Sequence, residues 1–193
     1  VRFDCRDTLK ALEGTKIAVP ELDTYAPKLW DYWERNLDPD LFIDRTLKGQ
    51  VEGKVILITG GTSGIGQATA LKIAEAGSAK AVIVCGRDQE KIDETLKLAK
   101  KRGVKIVAYS ADVSDEVGCA EFAKKLHENH GGVDILVNNA GRSIRRALEH
   151  SYDRFHDFER TMQVNYFGAL RITMALLPHM SAQKRGHVIN ISS

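Results

Sequence analysis

The sequence predicts an α/β fold, a doubly wound parallel sheet wrapped by helices and preceded by a helical arm. From residue 51 onward, short apolar runs alternate with longer helical patterns, as expected for parallel strands joined by crossover helices. A glycine-rich turn, Thr59-Gly60-Gly61-Thr62-Ser63-Gly64-Ile65-Gly66, separates the first such run from the first helical pattern. Residues 1–50 lack strand-like runs but hold both tryptophans and three of the four prolines. Composition therefore divides the chain into an arm, 1–50, and a domain, 51–193.

In the arm, Leu22, Tyr25, Ala26, Leu29, Trp30, Trp33 and Leu37 recur every three or four residues. They form one apolar face of a helix, with Pro27 expected in the first turn, where a missing N–H costs nothing. The other face mixes Lys28, Asp31, Glu34 and Arg35, so packing on protein is expected rather than binding to a membrane surface. In the domain, Val55–Thr59 is the first strand, and Gly64–Ala76 a helix closed by Gly77. Ala81–Cys85 is the second strand, followed by a helix capped by Asp88, running to about Arg102 and closed by Gly103. Val104–Tyr109 is the third strand. Ser114 caps the next helix, with Glu116 in its first turn and Gly131–Gly132 at its end. Asp134–Asn138 is the fourth strand, Phe155 to Met180 a long helical pattern, and His187–Ile191 the fifth strand.

Composition excludes several classes. A net charge of +2, from 28 basic and 26 acidic side chains, argues against nucleic acid or an anionic membrane as partner. The longest apolar runs, such as Val55–Ile58 and Ile135–Val137, fall far short of the roughly 20 residues that span a bilayer. No signal peptide is visible. Cys5, Cys85 and Cys119 lack paired spacing, which suggests reduced thiols in the cytoplasm. The six histidines show no ligand spacing, so no metal site is expected. A start at Val1 and a stop just after an apolar run lead us to expect a piece of a longer polypeptide.

The glycine-rich turn carries the first chemistry. Glycine tolerates positive φ and lets the backbone approach a pyrophosphate, while free N–H groups and the helix dipole face the anion. The second strand ends Cys85-Gly86-Arg87, without the acidic residue that would take the ribose hydroxyls of NAD and repel a 2′-phosphate. A guanidinium there can bind that phosphate, which predicts NADPH; a solvated surface arginine is the plainer alternative. Asn165 sits inside a helical pattern, where asparagine competes for backbone groups; such a violation often marks function, although a polar residue on the exposed face is the plainer reading of the position alone.

The spacing TGxxxGxG at Thr59–Gly66 is followed in order by Asp112-Val113, Asn138-Asn139-Ala140-Gly141, Asn165 and Ser192-Ser193. Together these resemble the short-chain dehydrogenase/reductase family. The resemblance implies a Rossmann-type sheet, with Gly60, Thr62, Ser63, Gly64, Ile65 and Gly66 on the cofactor. It implies that Asp112 bonds the adenine, that Val113 packs on it, and that Asn139, Ala140 and Gly141 flank the ribose. Asn165 would be the helix-kinking asparagine that anchors a proton-relay water, and Ser193 (or Ser192, one residue away) would orient the substrate carbonyl. The family's acid is a tyrosine with a lysine four residues later. Both would lie beyond Ser193, and neither Tyr152 nor Tyr166 has a lysine at that offset. The chain alone is thus expected to bind part of the cofactor without turnover, on a sheet left with an exposed edge.

The segment from Asn138 to Gln163 further resembles the bacterial fatty acyl-CoA reductases. Residues 1–50 resemble the link before the C-terminal reductase domain of their two-domain relatives. This implies NADPH-dependent reduction of a long-chain acyl thioester to aldehyde or alcohol, with fatty acyl-CoA or fatty aldehyde as partner, and a homo-oligomer. Arg145 or Arg146 would hold coenzyme A phosphates; helical spacing equally allows pairing with Glu149, Asp153 or Asp157. A generic alcohol or ketone oxidoreductase and a non-catalytic nucleotide-binding module are the competing functions.

Overall fold

The structure, a computed structural model, describes residues 6–17, 20–36 and 43–192. The chain divides into two compact units, Val1–Asp44 and Arg45–Ser193. The first holds helices α1 (Arg6–Leu12) and α2 (Leu22–Asn36). Along α2, the Trp30 indole bonds Glu34, Arg35 pairs with Asp31 at 2.7 Å, and the Trp30 and Trp33 rings lie 5.1 Å apart. Pro27 sits in the second turn rather than the first, inside the helix, where it cannot donate to the carbonyl four residues earlier. Within this unit no residue of α2 is buried; Leu37, expected on its apolar face, lies outside the described residues.

The second unit begins with α3 (Leu47–Val51), capped by the Thr46 hydroxyl, which accepts from the Gly49 amide at 3.2 Å. The compositional boundary at 50/51 falls within this helix, whose Val51 is buried in the core of the second unit. Then come β1 (Val55–Thr59), α4 (Gly64–Ala76), β2 (Ala81–Gly86), α5 (Gln89–Lys101), β3 (Val107–Ser110), α6 (Glu116–His130) and β4 (Ile135–Asn138). A 3-10 turn at Leu148–His150 precedes α7 (Phe155–Met162), a π-helical segment Gln163–Gly168, α8 (Ala169–Ala182) and β5 (His187–Asn190). The five strands form one parallel sheet in the order β3-β2-β1-β4-β5.

Alternate strand residues point to opposite faces, and both faces are covered. Leu57, Ile83 and Leu136 pack with Leu126 of α6 and with Ile172 and Leu176 of α8. Ile56, Ile58, Val82 and Val84 pack with Leu71 and Ile73 of α4 and Ala99 of α5. Each such fully buried aliphatic side chain contributes about 1.5–3 kcal/mol. β5 is an outer strand of this sheet, and Ile189 and Ile191 are exposed.

Three elements differ from the sequence reading. The third strand starts at Val107, not Val104: the Val104 amide bonds the Ala99 carbonyl at 3.0 Å to close α5, as a helix end requires. The cap of α6 is Asp115, not Ser114. Asp115 accepts from the Val117 amide at 3.2 Å, while the Ser114 amide and hydroxyl turn back to Asp112. The long helical pattern is three pieces, with the π segment centred on Asn165.

Candidate functional site

The carboxyl ends of β1, β2 and β4 and the loop after β3 enclose a cleft of about 400 Å³. Ten of the twelve expected cofactor residues line it: Gly60, Thr62, Ser63, Ile65, Arg87, Asp112, Val113, Asn139, Ala140 and Gly141. Gly64 and Gly66 belong to the same turn, and Gly66 packs behind it against Asn139. Gly60 takes φ +63° and lies so close to β4 that a Cβ would come 2.8 Å from Ala140 Cα. A Cβ on Gly66 would meet Asn139 Nδ2 at 2.3 Å and the Gly60 carbonyl at 2.7 Å. The turn can follow this path only with glycine at those positions.

Thr59 ties the turn to the neighbouring strand. Its hydroxyl accepts from the Asn139 and Ala140 amides at 3.1 and 3.0 Å, and Asn139 Nδ2 donates to the Thr59 and Gly60 carbonyls at 3.0 and 3.2 Å. Asn139 therefore fixes the turn with its side chain. Thr59 was absent from the expected site residues; its position at the end of β1, two residues before Gly61, was the available signal. Ser63 precedes α4 and makes no capping bond with its hydroxyl, and a Cβ on Gly64 would meet nothing within 4 Å. The start of α4 thus offers a hydroxyl and amide N–H groups to an anion in open space.

At the far end of the cleft, Arg87 faces Asp112 at 3.5 Å and Lys91 faces Asp88 at 3.8 Å. Burial alone would raise the Asp112 carboxyl. The two Ser114 hydrogen bonds and Arg87 outweigh it and hold the group below the ordinary carboxylate range. Both Asp112 oxygens are engaged, Oδ1 by the Ser114 amide and hydroxyl and Oδ2 by Arg87. Lys91 was not foreseen, because only the folded α5 turns it toward Arg87's cleft. Position 86 is closed to side chains: a Cβ there would lie 2.6 Å from Thr62 Oγ1, and Thr62 is buried. Cys85 lies beneath this end, and burial pushes its thiol up to about 12 despite a Gly60 backbone hydrogen bond.

A second cavity of about 660 Å³ adjoins the first around β4, β5 and α8, lined by Asn138, Gly141, Arg142, Asn165, Tyr166, Leu170, Ile191 and Ser192 among others. Asn165 grips one backbone residue in both directions: its Oδ1 accepts from the Arg142 amide and its Nδ2 donates to the Arg142 carbonyl, each at 2.8 Å. Its side chain therefore holds the loop after β4. Ser192 lines this cavity; Ser193 lies outside the described residues. Asn138 bonds Thr173 and Asn190 through Nδ2, while its buried Oδ1 has no partner among the described residues.

The loop arginines separate. Arg146 is paired with Asp157 at 3.1 Å, the alternative that helical spacing allowed. Arg154 reaches the same carboxylate at 2.9 Å and His156 at 3.5 Å. The Arg154 hydrogen bond leads in holding Asp157 below the ordinary carboxylate range against its burial, helped by the charges of Arg154 and His156 and the Arg146 bond. The Arg142 and Arg145 guanidinium groups have no partner among the described residues. Among those residues, no cluster of histidine, cysteine and carboxylate side chains could hold a metal ion, and no helix is long and apolar enough to cross a membrane.

A parallel sheet in this order, with a glycine turn leading from its central strand into a helix, defines a Rossmann-type domain. The family described as short chain dehydrogenase matches residues 54–193, and the chain belongs to it. An uncharacterized oxidoreductase of Mycobacterium tuberculosis is 46% identical over 165 residues, covering 84% of this chain and 48% of that protein. A fatty acyl-CoA reductase of Acinetobacter baylyi is 45% identical over 151 residues, covering 78% of this chain and 50% of that protein. The chain spans about half the length of these curated relatives. Among solved structures, a metagenomic short-chain oxidoreductase in complex with NADP superposes with a TM-score of 0.67 at 32% identity, over 74% of this chain and 63% of the other.

Proposed function

We propose that this chain is the coenzyme-binding part of an NADPH-dependent reductase of long-chain fatty acyl-CoA. The choice of NADPH rests on position 86. An acidic side chain that would take the ribose hydroxyls of NAD cannot be built there without displacing Thr62, whereas Arg87 and Lys91 stand next to it on the cleft. Ser63 and the first amides of α4 would hold the diphosphate, Val113 would pack on the adenine, and Ala140 and Gly141 would flank the nicotinamide ribose. The reduced nicotinamide supplies a hydride. This chain's own residues position it: Thr59 and Asn139 fix the turn, and Asn165 fixes the rim between coenzyme and substrate. Ser192 or Ser193 would orient the substrate carbonyl.

Support for an acyl-CoA substrate is the pairing of a partly apolar cavity, bordered by Leu170, Ile191 and Tyr166, with two arginines that have no partner among the described residues. Arg142 lines that cavity and Arg145 follows on the same loop; guanidinium groups suit the phosphates of coenzyme A. The likeness to the Acinetobacter reductase supports the same reading. Residues 1–50 would be a link from a preceding domain, and the assembly a cytoplasmic homo-oligomer.

The test uses the full-length parent with palmitoyl-CoA, a fatty aldehyde and a secondary alcohol, each with NADPH and NADH. Turnover of palmitoyl-CoA with NADPH supports the reading; turnover of the secondary alcohol alone favours a generic oxidoreductase. Arg145→Ala should raise the KM for acyl-CoA roughly tenfold while leaving the aldehyde within about twofold, as expected when binding to a remote charged group is lost. Equal effects on both substrates would remove Arg145 from the coenzyme A site.

A further inference from the structure

Arg171, in the first turn of α8, is the link between two parts of the site that the sheet does not join. Its Nη1 donates to the Ser114 carbonyl at 3.1 Å and to Gln163 Oε1 at 3.0 Å, and its guanidinium lies 5.6 Å from the centre of the Phe167 ring. Ser114 directly follows Asp112 and Val113, which line the coenzyme cleft. Gln163 and Phe167 belong to the π-helical segment. Gly168 closes the same junction: a Cβ there would come 2.9 Å from Val113 Cγ2 and 3.2 Å from the Val113 carbonyl. The bonds from Ser114 to Asp112 fix the shape of the Asp112–Ser114 loop, but being local they do not fix its distance from α8. Arg171 and the bare Gly168 surface do.

We infer that Arg171 is a positioning residue that holds the Asp112–Ser114 loop against the adenosine half of the coenzyme cleft. The inference rests on the reading of that cleft as a dinucleotide site. The π segment and the first turn of α8 are thereby tied to two loops. Asn165 holds the loop after β4, and Arg171 holds the loop after β3. A guanidinium suits the task because its planar fork can serve two acceptors while lying over an aromatic face. Without it the loop keeps its internal turn but loses its register on the helix, and Val113 leaves the position it needs beside the base.

The experiment is a titration of the full-length parent with NADPH, followed by nicotinamide fluorescence for Kd and by calorimetry for stoichiometry. Arg171→Met keeps an apolar stem and removes both hydrogen bonds; Arg171→Lys keeps the charge and one donor. Arg171→Met should raise Kd about tenfold and Arg171→Lys about threefold, each at a stoichiometry near one. An unchanged Kd in Arg171→Met, with fewer competent molecules and a lower melting temperature, would make the residue merely structural and overturn the inference. If Arg171→Met does not fold, Arg171→Lys with native circular dichroism and wild-type Kd has the same force. A wild-type chain that binds neither NADPH nor NADH would overturn the cleft reading and this inference together; wild-type binding with insensitive variants overturns this one alone.

Discussion

The loop after β1 and the loop after β4 meet at the same rim of the sheet, yet different chemistry holds them. The first is fixed by close glycine packing and by uncharged side chains that bond backbone groups. Gly60 and Gly66 leave no room for side chains, and Thr59 and Asn139 bond carbonyls and amides rather than charges. The second, beyond Gly141, is fixed by side chains. Asn165 clamps Arg142, and one buried carboxylate, Asp157, gathers Arg146, Arg154 and His156. The first arrangement should be insensitive to pH and intolerant of any added atom. The second should tolerate size changes and fail when one charge is removed, because unpaired like charges near a low-dielectric interior repel.

The largest effect should come from the first loop. Gly66→Val places its branched Cβ within reach of both Asn139 Nδ2 and the Gly60 carbonyl. Either the turn or the β4 end must shift, and NADPH affinity should fall more than about a hundredfold. A variant that binds within threefold of wild type would show the turn to be looser than its contacts indicate.

The complementary substitution, Asp157→Asn, should leave NADPH affinity within about twofold while hydrogen exchange across residues 142–156 accelerates. pH should reproduce it. A carboxyl held low in the folded state stabilises above its unfolded pKa, near 3.9, and that stability is lost as pH falls through the lower folded value. Asp157 is such a group, so its loop should loosen on acidification in the wild type and already be loose at neutral pH in Asp157→Asn. No difference in exchange between the two proteins would mean the ion cluster does not order the loop.

Legibility in the sequence follows the same division. β1, the turn and α4 were readable because each is set by neighbours a few residues away: an apolar run, glycines, and Gly77 as a left-handed C-cap. Asparagine's poor fit to a helix interior flagged Asn165, but its kink was implied only by the family resemblance, and its partner, 23 residues away, was not readable. Ser114 and Asp115 are both good caps, and only the fold, by giving Ser114 to Asp112, decides between them. Arg146 had three carboxylates at helical spacing, and the choice of Asp157 required the buried start of α7. Thr59, Lys91 and Arg171 were passed over because their roles come from partners on other elements. Local rules describe the backbone-held loop well and the side-chain-held loop poorly.

At the adenosine end both kinds of support meet, and smaller effects should sort them. Arg87→Met should raise the Kd for NADPH about tenfold and leave NADH unchanged, as expected when a charge-assisted contact to the 2′-phosphate is lost. Lys91→Met should give about threefold, being exposed and loosely held by Asp88. The preference for NADPH should also narrow below pH about 6, as the phosphate takes up its second proton. If both variants weaken NADPH and NADH alike, the cations steer the dinucleotide without reading its phosphate.

The smallest effect concerns Cys85, which lies under the glycine turn and is 1% exposed. With its thiol pushed up to about 12 by burial, very little of it is thiolate at pH 8, and the thiolate is the reactive form. Peptide mapping after iodoacetamide treatment of the native chain should find Cys85 unmodified, and modified once the chain is unfolded. Coenzyme should make little difference, because the side chain is sealed by Gly60 and the sheet rather than by a ligand. Native labelling that NADPH suppresses would show that the backbone-held loop opens in the absence of coenzyme, and the contrast between the two loops would then be one of degree.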